Sequence, residues 1–218
     1  MNKKYKLTNN KKEWLGKTLY QIEAIIGLKD VRKGELGGWI EKEENLNESG
    51  NAWVSGNACV SGNAQVSGNA CVSGNAQVSG NAQVSGNAQV SGNAWVSGNA
   101  WVSGNACVYW NAQVFGNAQV SGNAQVSGNA WVSGNARVYW NAQVSGNAQV
   151  SGNAQVSGNA QVSGNARVYG KIKLQSILCS RFNFEFDWQV KLWQKKEKEY
   201  ETEVKKKLRS NDKRQKVK

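Results

Sequence analysis

The chain has 218 residues and a net charge of +12, from 27 Lys and Arg against 15 Asp and Glu, and it contains no His. A chain without imidazole lacks both the usual general base for a hydroxyl acceptor and a His-based zinc site. Residues 1–17 hold no secretory h-region and no apolar run reaches membrane length, so the expectation is a soluble cytoplasmic protein with no membrane span.

Residues 1–50 form the first of three segments and carry mixed charge, 10 Lys and Arg against 8 Asp and Glu. Tyr5-Lys6-Leu7 and residues 18–25 read as strands, and Gly34, Gly37 and Gly38 mark a lead-in to the next segment, together a small β-cap. Leu46 falls in the Ala register of the downstream repeat, so a degenerate first coil is expected before Asn51.

Residues 51–170 are twenty copies of Asn-Ala-x-Val-Ser-Gly in which Asn, Ala and Val never change. In Ala-x-Val a local period of two sends Ala and Val to one side and x to the other, as in a short strand. Ser-Gly-Asn makes the corner, since Gly and Asn are the residues most tolerant of positive φ. Because Trp110 and Trp140 replace the corner Gly, Asn is the expected left-handed residue. Val54-Ser55-Gly56-Asn57-Ala58-Cys59 and its copies resemble the hexapeptide of the left-handed parallel β-helix, three units to a triangular coil. The resemblance implies an all-β prism of six to seven coils stacked at roughly 4.8 Å. Amide ladders of the Asn residues are expected along its corners. The calcium-binding nonapeptide β-roll is excluded by the period and by the absence of Asp from the repeats.

Drawn as triangular coils, the x positions fall on three faces. One holds Trp53, Cys71, Gln89, Cys107, Gln125, Gln143 and Gln161; the next Cys59, Gln77, Trp95, Gln113, Trp131, Gln149 and Arg167; the third Gln65, Gln83, Trp101, Gln119, Arg137 and Gln155. Cys71 and Cys107 lie two coils apart, roughly 9 to 10 Å, beyond the reach of about 7 Å for a disulfide. With Cys59 on another face and Cys179 downstream, the thiols read as free in a reducing compartment, with no disulfide, metal site or cofactor. Gln fills eleven of the twenty x positions and is expected to stack into solvated amide ladders.

Aromatic departures from the unit mark the candidate interaction surface. Trp53, Trp95, Trp101 and Trp131 take x positions; Tyr109, Phe115 and Tyr139 replace the corner Ser; Trp110 and Trp140 replace the corner Gly. So many large rings on the outside of a soluble prism call for burial against a partner. Trimers are common among β-helices of this type, so a homotrimer is one expectation and an unknown protein partner another.

In residues 171–218, Lys and Arg number 15 against 7 Asp and Glu. Residues 172–178 and Phe182-Asn183-Phe184-Glu185-Phe186 read as strands that cover the last coil. From Asp187 an amphipathic helix is expected, with Trp193, Tyr200, Val204 and Leu208 on one stripe and Glu201–Lys205 and Glu203–Lys207 as i,i+4 pairs. Residues 205–218 read as a basic tail able to bind polyanions weakly and without sequence preference.

The segment Lys29-Asp30-Val31-Arg32-Lys33-Gly34-Glu35-Leu36-Gly37-Gly38-Trp39-Ile40-Glu41, running into Gly-Asn-Ala hexapeptides, resembles the YdcK-like bacterial and prophage repeat proteins. That resemblance implies an acetyltransferase-like label by fold. The familiar hexapeptide acyltransferases use a His as base on the acceptor hydroxyl, and the repeats here hold no Glu or Asp to replace it. The reading is therefore a non-catalytic scaffold presenting Gln, Ser and aromatic faces, with no catalytic, cofactor or metal residues assigned. The alternatives are an acyltransferase-like enzyme, and binding of a carbohydrate or an anionic polymer.

Overall fold

The computed structural model describes residues 3–175, 178–179, 183–184, 189–191, 195–196, 199 and 202. Strands β1 (Tyr5–Trp14) and β2 (Lys17–Ala24) form an antiparallel hairpin. Its two-residue turn is Leu15 and Gly16, both at positive φ (47° and 72°), the geometry that suits the right-handed twist of a hairpin. Strand β1 is longer than the Tyr5-Lys6-Leu7 reading. The polar run from Asn9 to Glu13 has little strand propensity, and pairing with β2 carries it through, with a register shift between Leu7 and Lys11.

Strand β3 (Leu36–Ile40) joins the cap to the prism. It pairs antiparallel with β2 on one edge and parallel with Cys59–Val60 on the other. Gly37 and Gly38 are required there for space. A Cβ on Gly37 would sit 2.5 Å from Ile22 Cγ1 and 2.7 Å from the Val54 carbonyl, and one on Gly38 would sit 2.7 Å from Val54 Cγ1.

Each hexapeptide then contributes a short strand of x and Val, extended by Ser157 in one repeat, and every such strand pairs in parallel with the one a full coil further on. Cys71, Gln89 and Cys107 stand in one register, as do Trp95, Gln113 and Trp131, and Trp101, Gln119 and Arg137, so the three faces are those read from the sequence. Inside, the Ala and Val of every repeat have no exposed surface. Outside, each corner Asn from Asn51 to Asn147 donates from Nδ2 to the Asn Oδ1 a coil further on, at 2.9 to 3.2 Å, forming the three expected corner ladders. The ladder expected for Gln is absent among the described residues: the amides that bond in series belong to Asn at the corners, while Gln extends from a face into solvent.

The left-handed residue of the corner is Gly, not Asn. From Gly56 to Gly164 every corner Gly has φ between 61° and 72°, and Trp110 and Trp140 are held at 62° in its place. The Asn N–H instead donates to the corner carbonyl of the next coil, as Asn99 does to Gly116 at 2.7 Å. The Trp residues therefore accept the strained conformation rather than hand it to a neighbour.

The solenoid has about eight turns, more than the six to seven counted from the repeats, because sequence at both ends keeps an apolar residue in the Val column. Ile40 lies opposite Val60 and Leu46 opposite Val66. Leu46 thus belongs to the Val register rather than the Ala register, and a two-residue insertion separates it from Val54. Beyond the repeats Leu174 lies opposite Val156 and Phe184 opposite Val168, both buried, with Ile172 and Val190. Large apolar residues so close both ends of a bore that Ala and Val fill in between.

Polar side chains complete the N-terminal edge. Asn45, fully buried, donates from Nδ2 to the Gly62 and Ala64 carbonyls at 3.0 and 2.8 Å, where the repeats would use backbone N–H groups. Lys4 Nζ, also buried, donates to the Ala52 carbonyl at 2.9 Å, and Tyr5 OH bonds to the Glu43 and Leu46 carbonyls. An exposed parallel edge is thereby blocked against further pairing. At the other end Asn183–Phe184 pairs with Arg167–Val168, and residues 189–191 are helical. Phe182, Phe186, Trp193, Tyr200, Val204, Leu208, the pairs Glu201–Lys205 and Glu203–Lys207, and the tail 205–218 lie outside the described residues.

Candidate interaction surface

At Trp95, Trp101, Trp131 and Gln155 the x side chain leans toward the coil before it, where it meets the Ser position 16 residues upstream. Trp95 Nε1 donates to Ser79 Oγ at 3.4 Å and Trp101 Nε1 to Ser85 Oγ at 3.3 Å. Where the Ser position is itself aromatic the same relation becomes a ring contact or a longer reach. Phe115 meets Trp131 edge to face at 6.0 Å between centroids, and Tyr139 OH donates to Gln155 Oε1 at 3.4 Å. The rings are therefore ordered by their own scaffold.

Of the nine aromatics expected on the surface, Trp95, Trp101, Trp110, Trp131 and Trp140 are exposed, from 39% for Trp95 to 63% for Trp110. Tyr109, Phe115 and Tyr139 are half-buried. Tyr109 and Trp110 pack edge to face at 5.5 Å, and Tyr139 and Trp140 at 5.4 Å. Trp53 does not belong to this surface. It is 4% exposed, in contact with the lead-in at Gly37, and its Nε1 is buried with no hydrogen-bond partner. Register alone makes it an outward residue; the part of the cap beyond β2 covers it.

All exposed Trp residues of the prism fall between Trp95 and Trp140, so they form a girdle around the middle of the rod. Within it the faces alternate. Every coil whose x residues are Gln77, Gln83 and Gln89, or Gln113, Gln119 and Gln125, or Gln149, Gln155 and Gln161, is Gln on all three sides. The coils between them carry Trp95, Trp101 and Cys107, then Trp131, Arg137 and Gln143. The surface thus repeats every two coils although the core repeats every hexapeptide. That period is present in the order of the x residues and is seen only when they are sorted by coil.

Three hollows accompany these features. One of about 230 Å³ lies between Trp95 and Phe115 over Gln113 and Ser97. Another of about 510 Å³ lies beside Arg137, Tyr139 and Trp140. A third of about 330 Å³ runs between Leu28–Val31 of the cap and the face carrying Trp53, Cys71 and Gln89. Burial pushes the Cys71 thiol above its ordinary pKa and the Asp30 carboxylate adds to this against Lys29; burial alone does the same to Cys107. Neither thiol is set up as a reactive thiolate. Cys71 and Cys107 each pair in register with Gln89, which keeps them two coils apart as expected, and both are free, as is buried Cys59. Among the described residues no three His, Cys, Asp or Glu side chains gather where they could hold a metal, and no helix is long and apolar enough to cross a membrane.

The repeats match one family by sequence, described as the YdcK beta solenoid repeat, over residues 64–80, 82–98, 88–104, 112–128, 118–133, 124–140, 130–146, 142–158 and 160–171. No curated protein matches the chain.

Proposed function

The chain is a YdcK-like repeat β-solenoid protein, and from that premise we propose that it works as a rigid, non-catalytic scaffold that holds aromatic and amide side chains at fixed spacing for a partner. The observation that carries the reading is the girdle: five exposed Trp residues on a prism whose only repeat charges are Arg137 and Arg167. Continuous backbone pairing and the Asn ladders make such a rod stiff, and stiffness keeps the displayed groups in register. We place it in the cytoplasm, where free thiols such as Cys71 stay reduced.

Calorimetric titration with acetyl-CoA separates this reading from acyl transfer. No saturable heat is expected; saturable binding would overturn the scaffold. Light scattering at low and high salt then shows where the rings are used. A salt-resistant trimer would place them between copies of the chain, and a monomer would leave them for another ligand.

A further inference from the structure

We propose that the face carrying Trp95, Gln113 and Trp131 is a binding platform for an extended, uncharged β-1,4-linked polysaccharide, with the two indoles stacking on sugar rings one disaccharide apart. The proposal rests on the scaffold reading and names the ligand class of one of its faces.

Spacing is the first argument. Trp95 pairs in register with Gln113 and Gln113 with Trp131, so the rings stand two strand spacings apart, roughly 9 to 10 Å, along a straight line. In an extended β-1,4 chain successive sugars are turned over, and every second ring presents the same C–H face. The disaccharide repeat of such a chain is close to two strand spacings.

Preorganisation is the second. The Trp95 indole is tied to Ser79 Oγ and the Trp131 indole is braced by the edge contact with Phe115, so neither has to be ordered when a ligand arrives. The hollow between Trp95 and Phe115, over Gln113 and Ser97, offers an amide and a hydroxyl next to the first ring, which donate to and accept from sugar hydroxyls.

Charge and pattern select the ligand. From Cys59 to Gln149 the x residues of this face are uncharged, and the first cation is Arg167, so an ionised polymer gains nothing between the rings. A protein interface needs a contiguous apolar centre, whereas here Gln113 and the hollow beside it separate Trp95 from the Phe115–Trp131 pair. A pyranose chain, apolar on its ring faces and polar at its rim, has the matching alternation. The neighbouring face has Trp101, Arg137 and Lys173 at the same two-coil spacing, so cations replace the second ring there and it serves as a control.

The test titrates the full chain with β-1,4-linked glucose and N-acetylglucosamine oligosaccharides from disaccharide to hexasaccharide, read by calorimetry and tryptophan fluorescence. Affinity should rise steeply once the oligosaccharide spans both rings. Trp95→Ala and Trp131→Ala should each weaken binding of the hexasaccharide about tenfold or more, and Trp101→Ala should leave it unchanged. All three positions are exposed, and unchanged thermal unfolding shows that the variants fold. A spacing variant adds a different constraint: duplicating residues 113–130 sets the rings three coils apart and should lose the gain with chain length, while a third copy sets them four coils apart and should restore it for longer chains. Absence of binding by every oligosaccharide, equal loss with Trp101→Ala, or indifference to the inserted coil would overturn the platform. The scaffold reading fails by a separate result, acetyl-CoA binding, so the two failures are distinguishable.

Discussion

The prism and its N-terminal end are built on opposite plans. In the prism a contact is made once per coil and repeated: Val above Val, Asn amide to Asn amide, corner Gly to corner Gly. In the cap each contact is made once: Gly37 under Val54, Asn45 on two carbonyls, Lys4 on the Ala52 carbonyl, Tyr5 on two more. A repeated contact can be lost in one coil and carried by its neighbours, whereas a unique contact has no substitute. Stability at the two places should therefore respond very differently to equal chemical changes.

Gly37→Ala tests this most severely. The added methyl meets Ile22 Cγ1, the Val54 carbonyl and Trp53 Cζ2, all within 2.8 Å, and two of the three are a backbone oxygen and a packed ring. Overpacking of this kind costs about 3 kcal/mol. Hydrogen exchange of the Trp39 and Glu41 amides, which bond to Ala58 and Val60, should accelerate by about a hundredfold. If the cap absorbed the methyl with no change in these amides, the uniqueness of the contact would be refuted.

Asparagine allows the same residue type to be compared in both settings. Asn45→Ala strands the Gly62 and Ala64 carbonyls at a buried edge and should cost about 2 kcal/mol. Asn105→Ala removes one rung from an exposed ladder, between Asn87 and Asn123, and should cost about 1 kcal/mol or less. Urea unfolding midpoints of the two variants should fall in that order; equal shifts would show that the ladder matters as much as the edge.

Tyr5 makes the cap sensitive to alkali. Burial first, then the carboxylates of Glu48, Glu43 and Glu44, raise its pKa well above the ordinary value near 10. A folded-state pKa above the unfolded one gives stability that is complete below pH 10 and is lost as pH rises beyond it, because the unfolded chain releases the proton first. The slope for one such group is at most about 1.4 kcal/mol per pH unit. Thermal midpoints measured from pH 9 upward should decline for the wild type, and Tyr5→Phe should remove part of that decline while lowering the plateau. A decline identical in the two proteins would assign it to other groups.

Legibility in the sequence divides along the same line. The period determines which x residues share a face, which side chains point inward and where the Asn ladders run, since each of those depends on position modulo a coil. Trp53 reads as outward because register says nothing about a covering segment, and Leu46 reads in the wrong column because a two-residue insertion before Trp53 breaks the count. Strand β1 reads as ending at Leu7 since its later polar residues owe their extended state to β2. Lys4 and Asn45 as edge caps carry no signal at all: each is an ordinary polar residue until the carbonyls it meets are placed. The girdle is visible as residues and its two-coil alternation as order, but neither has meaning before the coils are aligned.

The smallest expected effect concerns the one place where the prism abandons its own rule. Trp110 and Trp140 carry a Cβ at φ 62°, a conformation that costs a non-glycine residue about 1 kcal/mol. Asn111 and Asn141 make the longest of the corner bonds, 2.9 Å to Gly128 and 3.0 Å to Gly158, where Asn99 and Asn105 make 2.7 and 2.8 Å. Both Trp residues come directly after a Tyr that packs against them edge to face, so the pair recovers part of the strain. Trp110→Gly should then raise stability by a few tenths of a kcal/mol, up to about 1 kcal/mol, which a shift in the thermal midpoint would register. A gain would mean that the ring is kept for what it displays rather than for the fold. A loss would mean that the Tyr109 contact outweighs the backbone strain, and the Tyr-Trp corners would then join the cap as unique, stabilising contacts.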